Sequence, residues 1–260
     1  MTFPNILLLF IAAVLGGTLN AVAGGGSFFC FPALVFTGMP PITANATNTV
    51  ALWPGSLASV GAYRREMKQI RPILLILLTA TSLIGGILGA LLLLNTSPKT
   101  FERLIPFLLL LATLLFAFSG PITARLRLRD IGKVQLTRRN LVGISVAQLV
   151  ISVYGGYFGG GIGILMLATL ALMGMEDIHA MNALKTLLAT FINGIAVVTF
   201  IIAGIVSWPQ AIVMVIGAIA GGYGGAYYAR KINPKWIRLF VIVVGLVLTV
   251  YFFIQYFVSK

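Results

Sequence analysis

The chain has 260 residues, 59% of them hydrophobic and only 9% charged, with a mean hydropathy of +1.05. A soluble domain carries roughly a quarter charged residues, so this chain has too little charge to coat a water-facing globule. The net charge of +13, from 18 Lys and Arg against 5 Asp and Glu, would suggest nucleic acid in a soluble protein. Here the bases sit in short loops between apolar runs, which is how membrane topology is encoded. Cys30 is the lone cysteine; it excludes an intramolecular disulfide and a multi-cysteine metal site and reads as a small packing residue.

A bilayer core of about 30 Å takes about 20 apolar helical residues. No Lys or Arg precedes Arg64, so the basic start of a secretory signal is missing. Ile6 to Val22 is therefore expected in the mature protein. Segments of spanning length lie at 5–23, 43–62, 72–94, 100–120, 141–158, 178–203, 208–228 and 236–257. Two shorter apolar pieces, 28–36 and 163–173, each follow a glycine cluster. The one long polar stretch, 121–139, divides a membrane unit 1–120 from a second, 140–260, and reads as a cytoplasmic surface linker. Its alternating Arg and Leu could also lie flat on anionic headgroups.

The halves repeat each other. Gly24-Gly25-Gly26 recurs as Gly159-Gly160-Gly161, and Asn45-Ala46 as Asn182-Ala183, with Thr49 matching Thr186. Gly85-Gly86-x-x-Gly89 recurs as Gly221-Gly222-x-x-Gly225, and Pro98-Lys99 as Pro234-Lys235. The offsets run from 135 to 137. Shared membrane composition explains abundant glycine but not constant spacing.

The loop 63–71, the linker and the loop 229–238 together hold 14 of the 18 bases, and the positive-inside rule puts all three in the cytoplasm. That requires 141–173 to enter and leave on one face, as a re-entrant hairpin tipped by its glycines, with 5–36 as its match. The expected fold is an all-α integral membrane protein of two inverted repeats, each a glycine-tipped broken or re-entrant hairpin plus three transmembrane helices, with both termini outside. The alternative is a parallel repeat in which all eight long segments span, leaving the bases of 229–238 outside.

Inverted repeats with broken elements are a transporter signature. Non-helical backbone in a bilayer is tolerated only against protein or a watery cavity. Consecutive glycines let backbone approach a ligand closely. Ser27 is placed to cap the helix 28–36, whose start offers free N–H groups and the positive dipole end to an anion. The second triplet does the same for 163–173. If not cavity-lining, these glycines are packing residues or ordinary turns.

After each hairpin comes a polar motif inside an apolar segment. Asn45 and Asn48 share a helical face, as do Asn182 and Lys185 at the matching positions. Intramembrane polar groups are costly without a partner or a task; amides and an ammonium both bind oxyanions. Lys185 is the only base well inside an apolar segment. Three roles are open to it: contact with a substrate anion, snorkelling to the interface, and a pair with Glu176 or Asp177. His179 could relay protons or be a plain surface histidine. Asn20, Gln148 and Asn193 line the cavity or bond between helices. The Gly85 and Gly221 motifs read as close helix contacts, and Trp208 and Trp236 as interfacial anchors.

The paired pattern of Gly-Gly-Gly-Ser and Asn-Ala-Thr-Asn in one half, and Gly-Gly-Gly and Asn-Ala-Leu-Lys in the other, resembles the TauE/SafE sulfite exporter family over nearly the whole chain. The resemblance implies export or uptake of sulfite, sulfonates or related sulfur-containing acids at the bacterial inner membrane. One departure is Ile162 after the second triplet where the first has Ser27, removing a side-chain donor.

The expected function is secondary transport of such an anion by alternating access. Inside-negative potential favours anion exit by roughly 2.3 kcal/mol per charge per 100 mV, and no embedded Asp or Glu is present to carry a proton, so efflux is favoured. The rivals are an anion channel and a non-transporting assembly subunit. An intramembrane enzyme would want clustered His and carboxylates or a nucleophile–base pair. One His, one Cys and five acids argue against it. No cofactor or metal is expected, and the oligomeric state is not encoded legibly.

Overall fold

The computed structural model describes residues 1–22, 25–68, 70–128, 138–172, 175, 178–225 and 234–258, and every regular element among them is helical. In chain order these are α1 (Phe3–Val22), α2 (Ser27–Phe36), α3 (Pro41–Ala62), the short α4 (Arg64–Met67), α5 (Pro72–Leu94) and α6 (Pro98–Leu128). The second half holds α7 (Arg138–Tyr157), α8 (Ile162–Leu172), α9 (Ile178–Ile202), α10 (Trp208–Ala220) and α11 (Pro234–Phe253). α10 runs on into a π-helical turn at Gly221–Gly225, and α11 into another at Ile254–Val258. The expected linker 121–139 is helical at both ends; Arg129 and Lys133 lie outside the described residues, as do Gly24, Glu176, Asp177, Arg230 and Lys231.

Local chemistry sets the boundaries. Pro41, Pro72 and Pro209 occupy first turns, where a fixed φ helps and a missing N–H costs nothing. α2 ends at Gly38, φ +85, with the Gly38 N–H donating to Val35 at 2.9 Å and the Met39 N–H reaching back to Leu34 at 3.4 Å. This is a Schellman close, and its left-handed residue is glycine for want of a Cβ.

Five helical stretches are long and apolar enough to cross a membrane among the described residues: Phe3–Asn20, Pro72–Leu94, Pro98–Phe118, His179–Ile202 and Leu239–Phe257. α3 has the length but is diluted by Asn45, Thr47, Asn48 and Thr49, and α10 is only 13 residues before its π turn.

α1 and α2 form an antiparallel hairpin: Gly26 packs on Gly16 and Asn20, and the Cys30 thiol, fully buried, donates to the Ala12 carbonyl at 3.6 Å. α7 and α8 form the second. Each hairpin packs chiefly on helices of the other half. α1 lies along α10, and α2 stacks on α11 through Phe29–Phe240 and Phe36–Phe252. α7 correspondingly lies along α5, and α8 on α6.

The matched helices α3 and α9 run antiparallel at the centre. The Trp53 indole donates to the Thr190 carbonyl at 3.1 Å and covers Gly194, while Val50 packs on Val197. α6 and α11 are antiparallel too, Phe107 meeting Phe253 and Thr113 meeting Gly245.

The glycine motifs are contact surfaces, as expected. A Cβ on Gly89 would overlap the Val153 carbonyl, one on Gly221 that of Val14, and one on Gly17 the backbone of Ala218. Side chains there would force the helices apart.

Candidate functional site

The first turn closes more tightly than its sequence suggests. Gly25 takes φ +97 against the ring of Phe116 on α6. The cap position of α2 belongs to Gly26, and Ser27 is the first helical residue, with no capping bond. The expectation of Ser27 as N-cap is thus corrected. The reason is that its hydroxyl is drawn sideways to α3, where it accepts from the Asn48 amide at 3.1 Å. Three of the N–H groups expected to be free are also taken. Phe28 donates to the Gly25 carbonyl at 3.0 Å, and Phe29 and Cys30 donate to that of Gly26 at 3.1 and 3.2 Å.

Asn45, one turn before Asn48, donates to the carbonyl of Tyr157, the last residue of α7, at 2.9 Å. Both asparagines are 1% exposed, and the Oδ1 atoms of both have no partner among the described residues. Thr49 turns its hydroxyl into its own helix, donating to the Asn45 carbonyl at 2.8 Å.

In the second turn Gly159 and Gly161 have φ +79 and +77. The Tyr154 hydroxyl donates to the Gly160 carbonyl at 2.7 Å, bracing the turn, and Asn193 lies beside Gly159. Gly160 and Gly161 rest on Ala112 of α6, one helical turn from the Phe116 that meets Gly25. An edge-to-face contact of 5.7 Å between Phe31 and Phe158 joins α2 to the second turn. Both glycine turns are therefore packed inside the protein on one stretch of α6.

Lys185 donates to Asn182 Oδ1 at 3.2 Å, and its methylene stem packs on Gly163 at the start of α8. Where the first half sets Asn48 on Ser27, the second sets Lys185 on Gly163, whose lack of a side chain leaves room for the longer stem. Thr186 contributes its carbonyl, which accepts from Thr190 at 2.8 Å.

The predicted residues form two groups rather than one cradle. Ser27, Asn45 and Asn48 meet the end of α7; Asn182 and Lys185 meet the start of α8. Trp53 marks the α3–α9 crossing by bonding Thr190. Asn48 precedes Trp53 by five residues and Lys185 precedes Thr190 by five. Antiparallel helices at 1.5 Å per residue then place the two groups on opposite sides of the crossing, roughly 15 Å apart. Of the other polar residues, Asn20 donates to Ser56 at 3.3 Å and Gln148 to Ser82 at 2.8 Å, both between helices. His179 is exposed at the first turn of α9. A cavity of about 430 Å³ opens elsewhere, between Met1, Asn5, Thr37 and Gln210, and no predicted site residue lines it.

Sequence reasoning missed Tyr154 and the Tyr157 carbonyl. A hydroxyl five residues before a glycine triplet was an available signal for the first; a main-chain acceptor leaves none.

The family model for sulfite exporter TauE/SafE matches residues 9–252. Among curated proteins, a "Probable membrane transporter protein" of Haemophilus influenzae is 30% identical, the match covering 94% of this chain and 92% of the relative. "Probable membrane transporter protein ORF9" of Sinorhizobium is 28% identical over 96% and 93%. "Probable membrane transporter protein YfcA" of Escherichia coli K12 is 29% identical over 96% and 90%. No solved structure matches significantly. With spans of membrane length, matched halves and a family match over nearly its whole length, this multi-pass membrane protein belongs to the TauE/SafE sulfite exporter family of transporters.

Proposed function

We propose that the chain is a secondary transporter of the bacterial inner membrane that moves a small sulfur-containing anion, sulfite or a sulfonate, outward by alternating access. The carrying observation is Lys185. It is a cation inside α9, oriented by Asn182 and lying over the start of α8, where helix N–H groups and the positive dipole end add to its charge. An oxyanion there meets an ammonium and amide donors away from bulk water, and charge-assisted bonds of this kind are the strong ones.

The antiparallel packing of α3 on α9 and of α6 on α11 supports reading the repeats as inverted, with the two hairpins entering from opposite faces. The basic loops 63–71 and 229–238 then share the cytoplasmic side with the linker. Rocking of one half against the other would expose the Lys185 group to the two sides in turn. Potential-driven exit of the anion needs no embedded carboxylate.

The test is purified protein in liposomes assayed for sulfite, sulfate, thiosulfate and small sulfonates. Saturable flux of sulfite or a sulfonate is expected. Lys185→Ala is expected to weaken apparent affinity by about 10- to 100-fold, the scale of one lost bond to a charged group. Unchanged kinetics at normal protein level would remove Lys185 from the site, and single-channel currents would replace the transporter with a channel.

A further inference from the structure

We infer that the paired amides of α3 and the end of α7 form a site for a monovalent cation, with sodium as the fitting ion, separate from the Lys185 group. Asn45 and Asn48 lie on one face of α3 and are 1% exposed. Each amide nitrogen is committed, Asn45 to the Tyr157 carbonyl and Asn48 to Ser27 Oγ. Those bonds fix the amide planes and leave both Oδ1 atoms buried without a donor among the described residues. Two such oxygens on adjacent turns are unusual in a folded interior, where buried acceptors are almost always satisfied.

The end of α7 has the same sign. Asn45 is tied to the last residue of α7, and a helix end carries carbonyls with no helical partner and the negative end of the dipole. Ser27 Oγ adds another oxygen; it stands at the positive start of α2, where Phe28 and Phe29 already donate to the Gly25 and Gly26 carbonyls. No charged side chain hydrogen-bonds either asparagine among the described residues. Lys185 lies beyond the α3–α9 crossing. The unpaired atoms of the group are therefore acceptors, and among the described residues it lacks the carboxylates that calcium and magnesium sites use. Neutral amide, hydroxyl and helix-end oxygens are the kind of ligands that hold a coupling ion in broken-helix transporters. The two polar groups then divide by sign: cation at Asn45 and Asn48, anion at Lys185. That cation movement is coupled to anion movement rests on the transport reading above; binding of the cation does not.

The experiment measures the unfolding midpoint of the purified protein in sodium chloride against choline chloride at constant ionic strength, and sulfite flux in liposomes with and without a sodium gradient. Sodium is expected to raise the midpoint saturably and a sodium gradient to change the flux. Asn48→Ala is expected to raise the half-saturating sodium by about tenfold or more. Asn48→Asp keeps the oxygen and adds charge, and is expected to lower it. A purely structural role would not move the two variants in opposite directions. Lys185→Ala should keep the sodium shift. Identical midpoints and fluxes in sodium, potassium, lithium and choline would overturn the inference, as would a pair of bound waters with no ion effect. If sulfite flux persisted in that case, the transport reading would stand. A saturable sodium shift without flux of any tested anion would instead retire the transport reading alone.

Discussion

The two seams that join the halves occupy matched positions but are built differently. Along α5 and α7, Gln148 donates to Ser82 at 2.8 Å and to Ser152 at 3.3 Å, all three residues being buried. By the repeat offset, the corresponding residues on α10 and α1 are Ala218, Ala13 and Gly17; Gly17 meets the Ala218 backbone and the Ala13 methyl meets Gly217. There the one side-chain bond across the seam described is from Thr18 to the Gly221 carbonyl, at 2.9 Å. Both seams use glycine to bring helix axes close; only one adds a polar clamp. Intramembrane hydrogen bonds average about 0.6 kcal/mol and reach about 2. The clamp therefore stiffens one seam without being needed to form it, since the other forms without it. The bare seam also carries the π turn at Gly221–Gly225.

The comparison can be broken most severely at the glycines. Gly221→Val and Gly89→Val each push a branched side chain into a backbone carbonyl that cannot retreat. Each is expected to cost about 3 kcal/mol, the upper part of the usual overpacking range, read as loss of monodisperse protein on heating in detergent. Equal tolerance of Val at both sites would show that neither seam is close-packed. A smaller change makes the clamped seam resemble the bare one: Ser82→Ala, Gln148→Ala and Ser152→Gly together. About 2 kcal/mol of stability should be lost, from two bonds and a residual void, with the fold retained. Collapse of the fold would show the clamp to be essential. The mildest test is Thr18→Val, which removes the bond to Gly221 and should cost about 0.6 kcal/mol; an effect beyond 2 kcal/mol would make that hydroxyl the main fastener of its seam.

Element placement was legible because helix length and apolar runs are local properties. The short pieces 28–36 and 163–173 emerge as α2 and α8 within a residue at each end, and the repeat offsets anticipate the matched hairpins. Other features were hidden for definite reasons. A repeat says that Asn48 and Lys185 are equivalent, but equivalent residues in antiparallel helices diverge from the crossing, so they do not share one pocket. Ser27 had the composition of a cap, yet Asn48, 21 residues later in the chain, competes for its hydroxyl. The role of Tyr157 rests on its carbonyl, which every residue possesses. Pattern reading therefore found the polar positions but not their hydrogen-bond partners.

The exchange of partners between halves also bears on how the chain is made. α1 finds its main packing surface on α10, which begins about 170 residues after α2 ends. At a synthesis rate of 5–20 residues per second, the first hairpin waits roughly 10–30 seconds for it. Throughout that interval the face of α1 around Gly17 lacks the α10 backbone it finally meets, so the insertion machinery or the lipid must shelter it until α10 arrives.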